Sequence, residues 1–277
     1  LKEGVKTLHE SVTSLPRVSA SNYSNSAPLI WSFLYGSMRG QVELVLDNAP
    51  ARSAELLARG GAEIALVPVI EYQRINDALI IPKVCVGARE RVRSVCLITK
   101  EKDLKDVKSV ALDTCSRTSV ALTQIIFHDF LRREPVWQLY KPDIKTMLET
   151  HDAALLIGDP ALSVSRDEYR VFDLAELWRE YTGCGFAFAV WMVRENEKAI
   201  ARSIDFAAAR DEGLRHIEEI ITSYESEIPL SHEDFRKYLL EDICYELDDE
   251  LIAGLNLYYE LAYKNNLIEE LKKLRAT

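Results

Sequence analysis

The sequence predicts an α/β protein whose parallel or mixed sheets carry helices on both faces. Three observations predict it. From residue 17 to residue 195, short apolar strands alternate with helical patterns. Residues 186–193 (FAFAVWMV) form a nearly continuous apolar run, as expected of a strand buried on both faces. After Glu195 the pattern changes to long helical stretches. At roughly 150 residues per domain, 277 residues make one large or two modest domains.

The elements follow in order. Residues 18–21 read as a strand, 22–28 as a polar loop and 29–35 as a helix. A strand at 42–46 precedes Pro50, which sits where a first helical residue belongs; the helix 51–59 stops at Gly60-Gly61. Residues 64–67 form a buried strand ended by Pro68, and 83–88 and 94–99 two more. A strand at 109–112 leads through Asp113-Thr114-Cys115-Ser116 into a helix at 117–133. Its apolar positions Val120, Ile125, Phe127 and Leu131 fit one stripe only loosely. A strand at 153–157 gives way to Gly158-Asp159-Pro160, which opens a short helix. Beyond the 186–193 strand, helices fill 198–223, 233–241 and 247–274, the second capped by Ser231 with Asp234 three residues on. Near the start, Val5, Leu8, Val12 and Leu15 recur at helical spacing.

Composition removes several functions. The chain carries 34 Lys and Arg against 44 Asp and Glu, a net charge of −10, so it is a poor general binder of nucleic acid. No apolar run approaches the length of about 18 residues that a membrane span needs. Five cysteines, irregularly spaced and without a CxxC pair, argue against a zinc ribbon and favour a reducing, cytoplasmic location. Residues 1–16 lack an apolar segment of the kind a secretory signal carries. No HExxH, calcium loop, GxGxxG, Walker A or GxSxG motif occurs, and the five histidines are scattered.

Three segments fall where a strand gives way to a helix, the place where such sheets bind ligands. In residues 21–26, five of six side chains are short hydroxyls or amides. Asn25 offers both donor and acceptor, and Ser26 is placed to cap the next helix. Ser116, Arg117, Thr118 and Ser119 cluster at a predicted helix N-terminus. Free N–H groups and a planar guanidinium there point to an oxyanion site. Gly158 permits close approach of a ligand, and Asp159 reads either as a functional acid or as a cap before Pro160. Ser94 starts a strand between two candidate lobes.

Read in order, these segments resemble a known family. Asn25-Ser26-Ala27-Pro28-Leu29, Glu63-Ile64-Ala65-Leu66-Val67-Pro68, Ser94-Val95, Ser116-Arg117-Thr118-Ser119 and Ile157-Gly158-Asp159-Pro160-Ala161-Leu162 are similar to the chorismate dehydratase family of the futalosine route to menaquinone. The similarity runs from about residue 17 to 194. Tyr23-Ser24 and Cys184-Gly185 depart from the family's more apolar stretch and its Leu-Pro.

The resemblance implies a two-lobed, type II periplasmic-binding-protein-like fold with two hinge crossings and a helical C-terminus. Lobe one would be 17–95 plus 188–277 and lobe two 96–187, with 1–16 an extension. The run 186–193 is then the second crossing. The C-terminal helices are open to two readings, completion of lobe one or a homodimer contact.

The implied reaction dehydrates chorismate to 3-[(1-carboxyvinyl)oxy]benzoate, with no cofactor or metal. Ser116, Arg117, Thr118 and Ser119 would bind a carboxylate, with Ser94 assisting at the hinge. Ser26 and Gly158 complete the substrate-binding set. Asn25 would position the leaving hydroxyl, and Asp159 is either a cap or a proton handler. Arg117→Ala is therefore expected to raise KM. Two other readings share the fold: a 1,4-dihydroxy-6-naphthoate synthase-like enzyme, which would need a histidine in lobe two, and a non-catalytic receptor for an aromatic carboxylate.

Overall fold

The computed structural model describes residues 15–277, so the helical pattern through Val5, Leu8 and Val12 lies outside the described residues. The chain first lays down β1 (Arg17–Ser21), α1 (Ala27–Leu34), β2 (Glu43–Asp47), α2 (Pro50–Ala58), β3 (Ile64–Pro68), α3 (Glu71–Arg74) and β4 (Ala78–Ala88). It then builds β5 (Val95–Thr99), β6 (Ser109–Asp113), α4 (Thr118–Ile125), β7 (Val136–Tyr140), α5 (Ile144–Thr150), β8 (Ala153–Ile157), α6 (Asp159–Leu162), β9 (Arg170–Asp173) and α7 (Leu174–Thr182). It returns through β10 (Phe186–Arg194) and ends in α8 (Lys198–Arg202), α9 (Phe206–Arg215), α10 (Ile217–Tyr224), α11 (His232–Lys237) and α12 (Asp249–Lys264).

Two five-stranded sheets result, ordered β2-β1-β3-β10-β4 and β7-β6-β8-β5-β9. Within each, the strands feeding helices run parallel (β1 with β2 and β3, β6 with β7 and β8), while β10 and β5 run antiparallel to their neighbours. Every residue of β3 and β8 is buried, as their unbroken apolar sequences require. Each buried Ile, Leu or Val there is worth roughly 1.5–3 kcal/mol.

The run 186–193 is not a crossing strand. It lies wholly within the first sheet, between β3 and β4, and its two buried faces reflect that central place. The chain changes sheets at 89–94 and 183–185. In the first passage Arg93 adopts a left-handed φ of 58°, a strained choice for a non-glycine residue. Its amide donates to the Asp173 carboxylate at 2.6 Å, alongside that of Val92 at 3.0 Å. Asp173 also accepts from the Ala175 and Glu176 amides, so one carboxylate caps α7 and pins the hinge.

Three predicted helices are broken up. The pattern at 117–133 starts as α4 and widens into a π turn over Ile126–Leu131. Ile125, Ile126 and Phe127 are all fully buried, more than one α-helical stripe can hide. The pattern at 198–223 becomes α8, α9 and α10. Asp205 caps α9 by accepting from Ala208 N, and His216 stacks on Trp31 with ring centroids 3.8 Å apart. Gly213 lets α9 press against α1, since a Cβ there would stand 2.0 Å from the Pro28 carbonyl oxygen. Residues 247–274 yield α12, which stops before Asn266 (φ 58°); the tail then runs beside β4, pairing Ala276 with Ile80.

Helix α12 spans both lobes. The Tyr259 hydroxyl donates to the Val69 carbonyl at 2.6 Å on one side, and that of Tyr258 to the Thr118 carbonyl at 3.1 Å on the other. Lys264 and Asn265 grip Asp129 in the second lobe. Helix α12 therefore does not belong to the first lobe alone.

Candidate active site

The carboxyl ends of β1, β3, β6 and β8 face one another across the interlobe cleft and enclose a cavity of about 60 Å³. Its polar lining is Asn25, Ser26, Ser116, Thr118, Ser119 and Gly158, drawn from both lobes. Its apolar lining includes Leu66, Pro68, Val86, Val95, Ile157 and Phe188. Six of the nine predicted site residues thus meet in one place.

Local bonds fix the polar lining. The Ser119 amide donates to Ser116 Oγ at 3.2 Å, and the Ile70 amide crosses from the first lobe to Thr118 Oγ1 at 3.3 Å. Ser26 does not cap α1. Its hydroxyl pairs with Ser21 Oγ at 3.1 Å and donates to Asn25 Oδ1 at 3.3 Å, drawing the side chain inward. Gly158 takes φ 64° and ψ −149°, a region essentially reserved for glycine, and a Cβ there would stand 2.6 Å from the Tyr23 ring. Its amide donates to the Ser94 carbonyl at 2.7 Å, tying the second lobe's loop to the hinge.

The remaining three residues do other work. Arg117 does not line the cavity. Its guanidinium pairs with Glu71 at 2.9 Å and Glu55 at 3.1 Å, both on the first lobe, so its fork bridges the cleft. Asp159 is no N-cap. It is the first residue of α6, and its carboxylate reaches across to the Ser24 amide at 3.1 Å and the Ser24 hydroxyl at 2.6 Å. Burial raises its pKa, and the Ser24 bonds oppose the rise. Ser94 is fully buried behind the wall, donating to the Val92 carbonyl at 3.3 Å. Residue type marked these as polar groups at strand ends; only the opposite lobe shows where they point.

Tyr23, Cys115 and Phe188 also line the cavity and were missed as site residues. Tyr23 and Cys115 lay inside the polar segments already singled out, while nothing in the 186–193 pattern marks Phe188. Burial, then the neighbouring Asp113, push the Cys115 thiol up to about 11, so it stays protonated and is a poor nucleophile. Asp113 itself is raised by burial and holds the Cys115 and Ile157 amides, joining the ends of β6 and β8.

A larger groove, about 1140 Å³ and open to solvent, lies elsewhere. Its arginines Arg89, Arg91, Arg179 and Arg210 are each committed to a carboxylate, which leaves little for an anion. The small cavity is the better candidate, although 60 Å³ holds about two waters and ligand pockets span roughly 300–1,000 Å³. Entry of a ring-sized ligand therefore requires the lobes to part. Arg117–Glu71, Arg117–Glu55, Asp159–Ser24 and Thr118–Ile70 join the two lobes across this cleft. Among the described residues no helix is long and apolar enough to cross a membrane.

The fold is shared with solved structures at low identity. A protein of Archaeoglobus fulgidus matches with a TM-score of 0.74 at 18% identity, covering 93% of this chain and all of that one. The periplasmic aliphatic sulphonate binding protein of Escherichia coli matches with a TM-score of 0.64 at 16% identity, covering 93% of this chain and 89% of that one. These likenesses show the two-lobed periplasmic-binding-protein-like fold. The sequence says more. It is 29% identical to a chorismate dehydratase of Thermus thermophilus over 90% of this chain and 94% of that protein. A family described as menaquinone biosynthesis matches residues 16–264, which takes in both lobes, every residue that lines the cavity and all of α12; the chain belongs to that family.

Proposed function

We propose that the chain is a hydro-lyase that converts chorismate to 3-[(1-carboxyvinyl)oxy]benzoate. The observation that carries this reading is the mixed polar and apolar lining of the cavity between the lobes. Its apolar side chains suit a cyclohexadiene ring, and its hydroxyls, amide and helix N-terminus suit carboxylates and a leaving hydroxyl. The likeness to a chorismate dehydratase over nearly the whole chain supports it.

The reaction breaks the ring C–O bond to the hydroxyl and the C–H bond on the neighbouring, ether-bearing carbon. The C–H electrons form the new ring double bond, and hydroxide plus the proton leave as water. Aromatisation drives the step. Ser116, Thr118 and Ser119 hold a carboxylate with neutral donors, which spares the site the cost of desolvating many cations. Asn25 positions the leaving hydroxyl. The base is the substrate's own side-chain carboxylate, because no histidine lines the cavity among the described residues and Asp159 is engaged by Ser24. In this reading Arg117 and Asp159 serve closure, which excludes water and completes the site. His151, in the second lobe, stays outside the cavity, bonded to Thr150 and packed on Tyr140, which disfavours a synthase that needs a histidine there. The five free cysteines are in keeping with action in the cytoplasm.

Incubating the purified protein with chorismate and following the benzoate product by ultraviolet absorbance and mass spectrometry tests the reading. Catalytic formation of the product is the expected result. Binding of chorismate without product would mark a receptor instead.

A further inference from the structure

The C-terminal helices bring one more polar group to this site. Tyr238 follows α11 on a wide helical turn, Tyr238–Asp242, and is completely buried. Its hydroxyl has no hydrogen-bond partner among the described residues. A sealed hydroxyl of this kind costs about 1–3 kcal/mol, which phenylalanine would avoid, so its presence calls for a reason.

The surroundings supply one. Arg93 donates to the Asp234 carbonyl at 3.3 Å and approaches the Asp242 carboxylate at 3.5 Å, one turn before Tyr238 and one turn after it. Arg91 holds the other Asp242 oxygen at 2.7 Å. This clamp ties the turn that carries Tyr238 to the hinge residue beside Ser94, and Ser94 and Asn25 are close enough to oppose the rise that burial imposes on the phenol's pKa. Donors and acceptors then match in one direction. Ser94 gives its proton to the Val92 carbonyl, so its oxygen is left to accept. Asn25 Oδ1 takes the Ser26 proton, and its Nδ2 has donors to spare.

We propose that Tyr238 is a positioning residue for the dehydration, its hydroxyl accepting from Asn25 Nδ2 and donating to Ser94 Oγ in the working enzyme. The chain of bonds Asn25–Tyr238–Ser94–Val92 fixes the Asn25 amide toward the reacting hydroxyl and couples it to the hinge. The role rests on the dehydratase reading; the geometry of the relay does not.

Tyr238→Phe removes only the hydroxyl. The variant should melt no lower than wild type, lose at least about tenfold in kcat and keep KM within about twofold. The Asn25 side-chain amide, followed by NMR and assigned through Asn25→Asp, should exchange faster with solvent in the variant. Tyr245→Phe, which removes a second buried and unpaired phenol hydroxyl, is the control and should leave kcat unchanged. Wild-type kcat in Tyr238→Phe, an equal loss in Tyr245→Phe, or unaltered Asn25 exchange overturns the proposal. A wild-type protein inert toward chorismate overturns the dehydratase reading instead, and the exchange measurement then decides the relay alone.

Discussion

Asn25 enters the cavity from the turn after β1 with its carbonyl oxygen held by Ser26. If it positions the leaving hydroxyl, Asn25→Ala lowers kcat at least about a hundredfold and moves KM far less. Steady-state kinetics decide this, and near-normal turnover removes Asn25 from the chemistry. Arg117 calls for a different test, because its guanidinium is bound to Glu55 and Glu71 across the cleft. Arg117→Ala and Glu71→Gln should raise KM by similar factors, and the double variant should be little worse than either. A much larger effect of Arg117→Ala would mean that the guanidinium touches substrate after all. The contrast shows what residue type can and cannot say. Hydroxyls at a helix N-terminus have few places to point, so Ser116, Thr118 and Ser119 were legible in the sequence. A long guanidinium reaches whichever acid the other lobe presents, and Glu55 and Glu71 lie 62 and 46 residues away in sequence.

At the scale of elements, alternation of strand and helix made most of the two sheets legible, and polar loops at strand ends marked the cleft. The edge strands β7 and β9 escaped because their mixed, partly exposed residues carry no apolar run. The run 186–193 revealed burial but not neighbours, which is why its place between β3 and β4 had to come from the structure. One acid, Asp173, ties an element to the hinge and gives a pH prediction. Burial is the main cause that pushes its carboxyl up to about 6, against a contribution from the Arg93 and Val92 amides that lowers it. The folded protein thus holds this proton more tightly than the unfolded chain. The resulting stability is full below about pH 4 and is lost as pH rises through about 6. Relative to Asp173→Asn, wild type should lose up to about 3 kcal/mol of stability between these limits and then level off. Denaturant melts across that range measure it, and a constant difference between the two proteins contradicts it.

At the scale of the molecule, the cavity of about 60 Å³ implies that substrate enters an open form and is enclosed by a closed one. Small-angle scattering should show the radius of gyration of the protein fall when saturating product is added. An unchanged radius would place entry elsewhere than the cleft. Opening has to work against α12, which hydrogen-bonds to both lobes and was read from sequence only as a long helix. The net charge of −10 also finds its place at this scale. Neutral donors in the cavity act at contact distance, while salt screens the acidic exterior within about 8–10 Å.

The central claim is elimination of water across the ring carbons that bear the hydroxyl and the ether. Chorismate labelled with deuterium on the ether-bearing carbon tests it most directly, with the product analysed by mass spectrometry. The account predicts a benzoate product that retains its carboxyvinyl ether and has lost the label. Product that keeps the deuterium, or labelled substrate recovered unchanged from active-concentration enzyme, would contradict it.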